Sequence, residues 1–195
     1  LLRGEELFVD GTKFEANANK YTPVWRKSLA HYERLRKKKI AAMFEEIELV
    51  NKEEDRRYGD RDLEEMGEES ALSVEKIEER VREVEERIRE SKERDGGAGR
   101  GKAHKRAERL LGQIKEKELP RLEELGEQEE KLGSRNSYSK TDEDATFMRM
   151  KEDGRGKGQL KAAYNVQLST ENQIVAGFSV HQRPGDSPLL KPHLE

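Results

Sequence analysis

Between residues 23 and 50 the apolar side chains Trp25, Leu29, Tyr32, Ile40, Met43, Ile47 and Val50 recur mostly three, four or seven apart. Such spacing lays one stripe along a helix, predicted to begin near Pro23, whose missing N–H costs nothing in a first turn. From Val74 to Arg94 the pattern narrows to Val74, Ile77, Val81, Val84 and Ile88, a two-position heptad seam amid charge. Glu precedes Arg by four residues at Glu78–Arg82, Glu83–Arg87, Glu85–Arg89 and Glu90–Arg94, each pair supporting helix by about 0.2–0.5 kcal/mol. The glycine-rich run from Asp95 to Gly101 should end that helix. A second apolar face follows in Ala103, Ala107, Leu110 and Ile114, and Pro120 predicts a kink or restart before Leu122, Leu125 and Leu132. Two such helices joined by a short glycine loop are expected to fold back as an antiparallel hairpin.

The two ends have a different period. Leu7-Phe-Val9 is a short β-prone run that leads into Asp10-Gly11. Near the other end, Tyr164, Val166 and Leu168 alternate with Ala163, Asn165 and Gln167, and Ile174, Ala176, Phe178 and Val180 alternate with Val175, Gly177, Ser179 and His181. With the polar Thr170–Gln173 between them, residues 162–169 and 174–181 predict an antiparallel hairpin with one buried face. Ser187 and Pro188 then look like the N-cap and first position of a helix that Pro192 would strain. The class expected is α+β, with three strands and a long, coiled-coil-like helical insertion between the first and second. Its segments are 1–22, with the first strand; 23–135, helical; and 136–195, with the other two strands and the start of a helix.

Composition sharpens this picture. Of 195 residues, 39 are Lys or Arg and 42 Asp or Glu, and only 32% are hydrophobic. An ordinary domain is about 45–50% apolar and about 25% charged, so a single conventional core is excluded. No stretch approaches the roughly 18 apolar residues of a membrane span, and no basic-then-apolar leader opens the chain. Without cysteine there is no disulfide framework, thiolate zinc site or thiol nucleophile, which suits a reducing cytoplasm. The net charge of −3 hides segregation. Lys20, Arg26, Lys27, Arg34, Arg36, Lys37, Lys38 and Lys39 face the single acid Glu33, whereas residues 45–69 are strongly acidic.

The segment Val9-Asp-Gly-Thr-Lys-Phe-Glu-Ala-Asn-Ala-Asn-Lys20, continuing through Tyr21, Trp25 and Lys27, resembles the region around the first catalytic aspartate of bacterial insertion-sequence transposases of the DDE class. Ser139-Lys-Thr-Asp-Glu-Asp-Ala-Thr-Phe-Met148, Tyr164-Asn-Val-Gln167, and Gly185-Asp186 with Leu190, Pro192 and His193 are similar to the same family. The resemblance covers about residues 7–35 and 137–195; Pro23 replaces a common aromatic and Glu143 a common proline. It implies a ribonuclease-H-like sheet and Mg²⁺-dependent cleavage and strand transfer of double-stranded DNA at transposon ends. It further implies a homo-oligomer in the complete enzyme and a cytoplasmic, nucleoid-associated location, with no membrane. Asp10 is the implied catalytic residue and metal ligand, because two-ion phosphoryl chemistry needs hard oxygen ligands on a rigid element. In the family the second Asp and the Glu lie beyond the last residue here. The chain also opens without Met, so a fragment, inactive alone, is expected.

Other candidates follow from charge and position. By the resemblance Lys13, Lys20, Arg26 and Lys27 either meet phosphates near Asp10 or are solvated helix charge, and Lys37, Lys38 and Lys39 extend that basic arm. Asn17 and Asn19 either hydrogen-bond DNA or cap a helix. Asn165 and Gln167 share a strand face that points toward Asp10 or toward solvent. His181 reads as a strand-end histidine rather than a ligand. Asp142 and Asp144 belong to a loop and Asp186 to a helix start, so none completes a carboxylate triad. Gly154-Arg-Gly-Lys-Gly158 lacks the spacing of a phosphate-binding loop and is expected to be a mobile, DNA-facing loop. Two rival functions remain: a charged coiled-coil scaffold, favoured by composition, and a DNA-binding module without chemistry.

Overall fold

The computed structural model describes residues 6–58, 73–94, 102–150 and 158–195. Most of the acidic run after Tyr58, the glycine run after Arg94 and nearly all of the Gly154–Gly158 loop lie outside them. In chain order the elements are β1 (Phe8–Glu15), β2 (Pro23–Trp25), α1 (Arg26–Tyr58), α2 (Val74–Arg94), α3 (Lys102–Gln113), a π-turn (Ile114–Glu118), α4 (Leu119–Leu132), β3 (Ser137–Ser139), β4 (Thr146–Arg149), β5 (Leu160–Glu171), β6 (Ile174–His181), a 3₁₀ turn (Ser187–Leu189) and α5 (Leu190–Leu194). The class is α+β. Among the described residues no helix is long and apolar enough to cross a membrane. The chain divides into two compact units, residues 1–29 with 128–195, and residues 30–127.

The first unit is built on an antiparallel, four-stranded sheet in which β5 is central. β1 lies along one edge of β5, from Phe8 opposite Thr170 to Glu15 opposite Ala163. The other edge is shared by β4, opposite Leu160–Ala163, and β6, opposite Asn165–Glu171. The expected three strands are thus joined by β4, and a separate two-stranded ribbon pairs β2 with β3. Runs of three or four residues are too short to display alternation, which is why these strands were illegible. The helix expected from Pro23 begins instead at Arg26, because Pro23, Val24 and Trp25 pair with Ser139, Tyr138 and Ser137. Trp25 consequently stacks on Phe147, with ring centroids 5.7 Å apart, and packs on the cluster of Ala16, Ala145, Phe147 and Ala162.

The β5–β6 hairpin turns through Asn172 and Gln173 alone, both at positive φ (49° and 66°). That is the handedness a two-residue loop needs to match strand twist, so Thr170 and Glu171 join the ladder rather than the loop. The sidedness of the sheet differs from expectation. Asn165, Gln167 and Ser169 form the buried face, whereas Phe8, Phe14, Leu168, Phe178 and Val180 remain exposed.

The second unit is helical. Ile77, Val81, Val84 and Ile88 of α2 bury their seam against Ile40, Phe44 and Ile47 of α1 and Ala107, Leu111 and Ile114 beyond. Ion pairs order the helices: Arg36 meets Glu118 at 2.8 Å and Glu46 meets Arg106 at 2.5 Å, so α1 and α3 run in opposite directions. Lys115 reaches Glu85 across the α2–α3 pair at 2.6 Å, drawing Glu85 from its expected partner Arg89, which bonds Glu86 instead. Pro120 cannot donate to the carbonyl four residues back, and the helix widens just before it into the π-turn, where Leu119 N–H bonds Ile114 O. Trp25 and Tyr32 leave the predicted α1 stripe, since Trp25 belongs to β2 and Tyr32 is exposed.

Candidate functional site

Strand β1 places alternate residues on opposite faces of the sheet. Directly opposed residues of an antiparallel pair share a face, so Asp10, opposite Leu168, stands on the exposed one. Among the described residues its carboxylate makes no hydrogen bond or ion pair. Gly11, opposite Gln167, lies on the covered face and is buried. An ideal Cβ there would come within 2.5 Å of Gln167 Nε2 and 2.7 Å of Asp186 Oδ1. Glycine at position 11 therefore makes room for these two side chains.

Asn165 and Gln167 point neither toward Asp10 nor into solvent. They are buried on the face opposite Asp10, where Asn165 Nδ2 donates to Asp186 Oδ1 at 2.7 Å, Gln167 Nε2 donates to the same oxygen at 3.3 Å, and Gln167 Nε2 donates to Asn165 Oδ1 at 2.9 Å. A DNA duplex cannot reach them there. Asp186, one residue earlier than the predicted cap, takes the N-cap position of the 3₁₀ turn, and its carbonyl accepts from Leu189 N–H at 2.8 Å. Its carboxylate is occupied by the two amides. Leu189 is buried, and Pro192 falls within the first turn of α5, where the lost N–H has no partner to forfeit.

One polar group on this face escaped sequence reasoning. Ser179 Oγ lies 2.7 Å from His181 Nε2 and 2.7 Å from His193 Nδ1. A hydroxyl has one proton, so at least one imidazole nitrogen donates to it. The signal was available, because Ser179 and His181 alternate with the apolar residues of β6, but His193 is brought in only by the fold.

The remaining candidates divide between structural and free roles. Lys13 Nζ donates to Arg149 O at 2.9 Å, tying β1 to the end of β4. Arg26 spends its guanidinium on backbone: it donates to Arg135 O at 2.8 Å and to Gly133 O, closing the end of α4 where Gly133 turns left-handed at φ 54°. Asn19 Oδ1 accepts from Tyr21 N at 2.9 Å and its N–H donates to Thr141 Oγ1 at 2.8 Å, an Asx turn rather than a helix cap. Lys20 lies over the Tyr21 ring, 4.9 Å from its centroid. Asn17 and Lys27 are exposed and make no side-chain hydrogen bond or ion pair among the described residues.

In the helical unit, Lys37 pairs with Glu33 at 2.7 Å and Lys39 with Glu118 at 2.7 Å. Only Lys38 of that triplet, with Arg34, is exposed and without an ion pair among the described residues. Burial pushes the Glu118 carboxyl up, but hydrogen bonds and charge from Lys39 and Arg36 outweigh it and hold it below the usual range. Asp142 and Asp144 are structural, as expected of loop residues. Asp142 Oδ1 accepts from Tyr164 OH at 2.7 Å, and Asp144 Oδ1 from Gln182 Nε2 at 3.1 Å. Burial first, then the Asp142 hydrogen bond and nearby carboxylates, push the Tyr164 phenol up to about 12.

Among the described residues no three His, Asp or Glu side chains converge to hold a metal ion. No protein-family model matches the sequence, and no curated protein or solved structure matches it.

Proposed function

We propose that this chain contributes Asp10, the first catalytic carboxylate, to a ribonuclease-H-like domain of a DDE-class insertion-sequence transposase. The observation that carries the reading is Asp10 itself: an accessible carboxylate without a partner among the described residues, on a strand held antiparallel to a long hairpin. Divalent ions, when bound in such enzymes, activate the attacking oxygen and stabilise the leaving one. This chain's residues position and recognise. Gly11 leaves room beneath β1 for Gln167 and Asp186, Lys13 ties it to the β4 end, and Asp10 projects from the other face. Of the basic arm, Lys20, Lys27, Arg34 and Lys38 are exposed and without an ion pair among the described residues, and would neutralise duplex DNA phosphates. Magnesium is the ion this role calls for, and a cytoplasmic, nucleoid-associated location follows from acting on chromosomal DNA.

A coiled-coil scaffold would need a seam open to a partner, and the α2 seam is consumed inside its own unit. A DNA-binding module without chemistry would use the same cations, and Asp10 separates the two. The test is Mg²⁺-dependent nicking of supercoiled DNA by this chain, supplemented in trans with a polypeptide bearing the family's remaining acidic residues. Nicking should appear only in the mixture, and Asp10→Asn should abolish it while DNA retention persists. Nicking that survives Asp10→Asn would remove Asp10 from the chemistry.

A further inference from the structure

Within the helical unit, α1 turns Ile40, Met43, Phe44 and Ile47 into the core. On its opposite face stand Leu35, Ala42 and Leu49, two helical turns apart; Leu35 is 46% exposed, Leu49 is 65% exposed, and Ala42 is exposed as well. Residues seven apart share one side of a helix, so these three make a straight apolar stripe about 21 Å long. Lys38 and Glu45, also seven apart, flank it on one side, both exposed and without an ion pair among the described residues. On its other side lie Lys39, paired with Glu118, and Glu46, paired with Arg106. The stripe is thus bordered by lysines at its first half and by glutamates at its second, an order that reads as its own complement when the helix is reversed.

We infer that this face of α1 binds a second copy of the chain, helix against helix, antiparallel and centred on Ala42. The inference uses residues of the helical unit alone and stands whether or not Asp10 is catalytic. A two-fold axis at Ala42 sets Leu35 against the partner's Leu49 and Leu49 against the partner's Leu35. Such an axis brings the same flank of both helices together, so Lys38 comes beside the partner's Glu45 and Glu45 beside the partner's Lys38. On the other flank Lys39 meets the partner's Glu46. A parallel pair would instead oppose Lys38 to its own copy and Glu45 to its own copy. Sliding the antiparallel pair by one heptad sets lysine against lysine in one direction and glutamate against glutamate in the other, and leaves Ala42 facing a leucine. Of these arrangements, only the one centred on Ala42 pairs leucine with leucine and opposes no like charges. Leucine burial drives the contact, whereas the charge pairs, exposed and screened by salt, select its orientation more than they add affinity. A helix pair of this length buries less than the roughly 1,200 Å² at which standard interfaces begin, so the association is reversible and concentration-dependent. Lys38 is also a cation offered to DNA, so duplex DNA competes with the partner's Glu45 for it.

Sedimentation of the unmodified chain without DNA should show mass rising from 22.6 kDa toward twice that value as concentration increases. Leu35→Ser with Leu49→Ser should weaken association at least tenfold. Lys38→Glu and Glu45→Lys should each weaken it several-fold, because each sets like charges together on both halves of the interface, and the two combined should restore it with the signs exchanged. Circular dichroism would check that all four variants stay folded. The chain has no cysteine, which makes the register directly readable. Treated with a short bifunctional thiol reagent, Ala42→Cys should link to its own copy, whereas Leu35→Cys should link to Leu49→Cys and not to itself. A mass constant with concentration would overturn the inference. So would a double charge variant that associates no better than the single ones, or Leu35→Cys linking to itself as readily as Ala42→Cys does.

Discussion

An alanine methyl at position 11 would meet Gln167 Nε2 at 2.5 Å and Asp186 Oδ1 at 2.7 Å. Gln167 is buried and cannot retreat, so Asp186 must leave its amide donors. Gly11→Ala is expected to cost about 1–3 kcal/mol in thermal unfolding, and adding Asp186→Ala should recover part of the loss, a coupling that a double-mutant cycle measures. Glu118 poses the opposite problem, a carboxylate with 5% of its side chain exposed between Arg36 and Lys39. Because its folded-state pKa is lowered, its contribution is present above the ordinary value of 4.5 and is lost as pH falls through the lower folded value. Glu118→Gln should lower stability at neutral pH by about 1–3 kcal/mol, less than a fully buried pair because both cations keep access to water. The same variant should flatten the acid limb of the stability–pH curve, which urea unfolding at several pH values would show.

Among the elements, the β5–β6 turn holds Gln173 at φ 66°, a conformation that suits glycine. Gln173→Gly should stabilise the hairpin by about 1 kcal/mol, visible as slower amide exchange in β6. The hairpin itself was legible because twofold alternation over eight residues leaves little else. The α2 seam was legible too, and so was the disturbance before Leu122, since Pro120 removes a specific donor. What stayed hidden is instructive. Alternation shows that β5 has two kinds of face but not which is covered, and here the amide-bearing face is the buried one, with Asn165 and Gln167 donating to Asp186. The roles of Arg26 and Lys13 were hidden for a related reason: a basic side chain looks the same in sequence whether it meets a phosphate or a carbonyl more than a hundred residues away. Asp10 was legible as an accessible strand residue only through the motif around it.

For the whole molecule, the basic arm is smaller in effect than its composition. Internal pairing of Lys37 with Glu33 and of Lys39 and Arg36 with Glu118 leaves Arg34 and Lys38 as its available cations in the helical unit. Lys38→Ala should therefore reduce the magnitude of the log K against log salt slope for nonspecific duplex DNA by about 0.9, whereas Lys37→Ala should change it little. Fluorescence anisotropy across a salt series measures both. The pairing of β1 with β5 has a consequence for synthesis. β1 is made first, yet its partner residues Ala163–Thr170 follow roughly 150 positions later, which at about 5–20 residues per second is a wait of about 8–30 s on the ribosome. Residues 30–127 have all their core partners in hand well before then. The nascent chain thus carries a completed helical body behind an unpaired strand displaying Phe8 and Phe14, and that strand is the segment a ribosome-associated chaperone would engage. Slowing elongation after residue 127 should lengthen that engagement, and speeding it should shorten it.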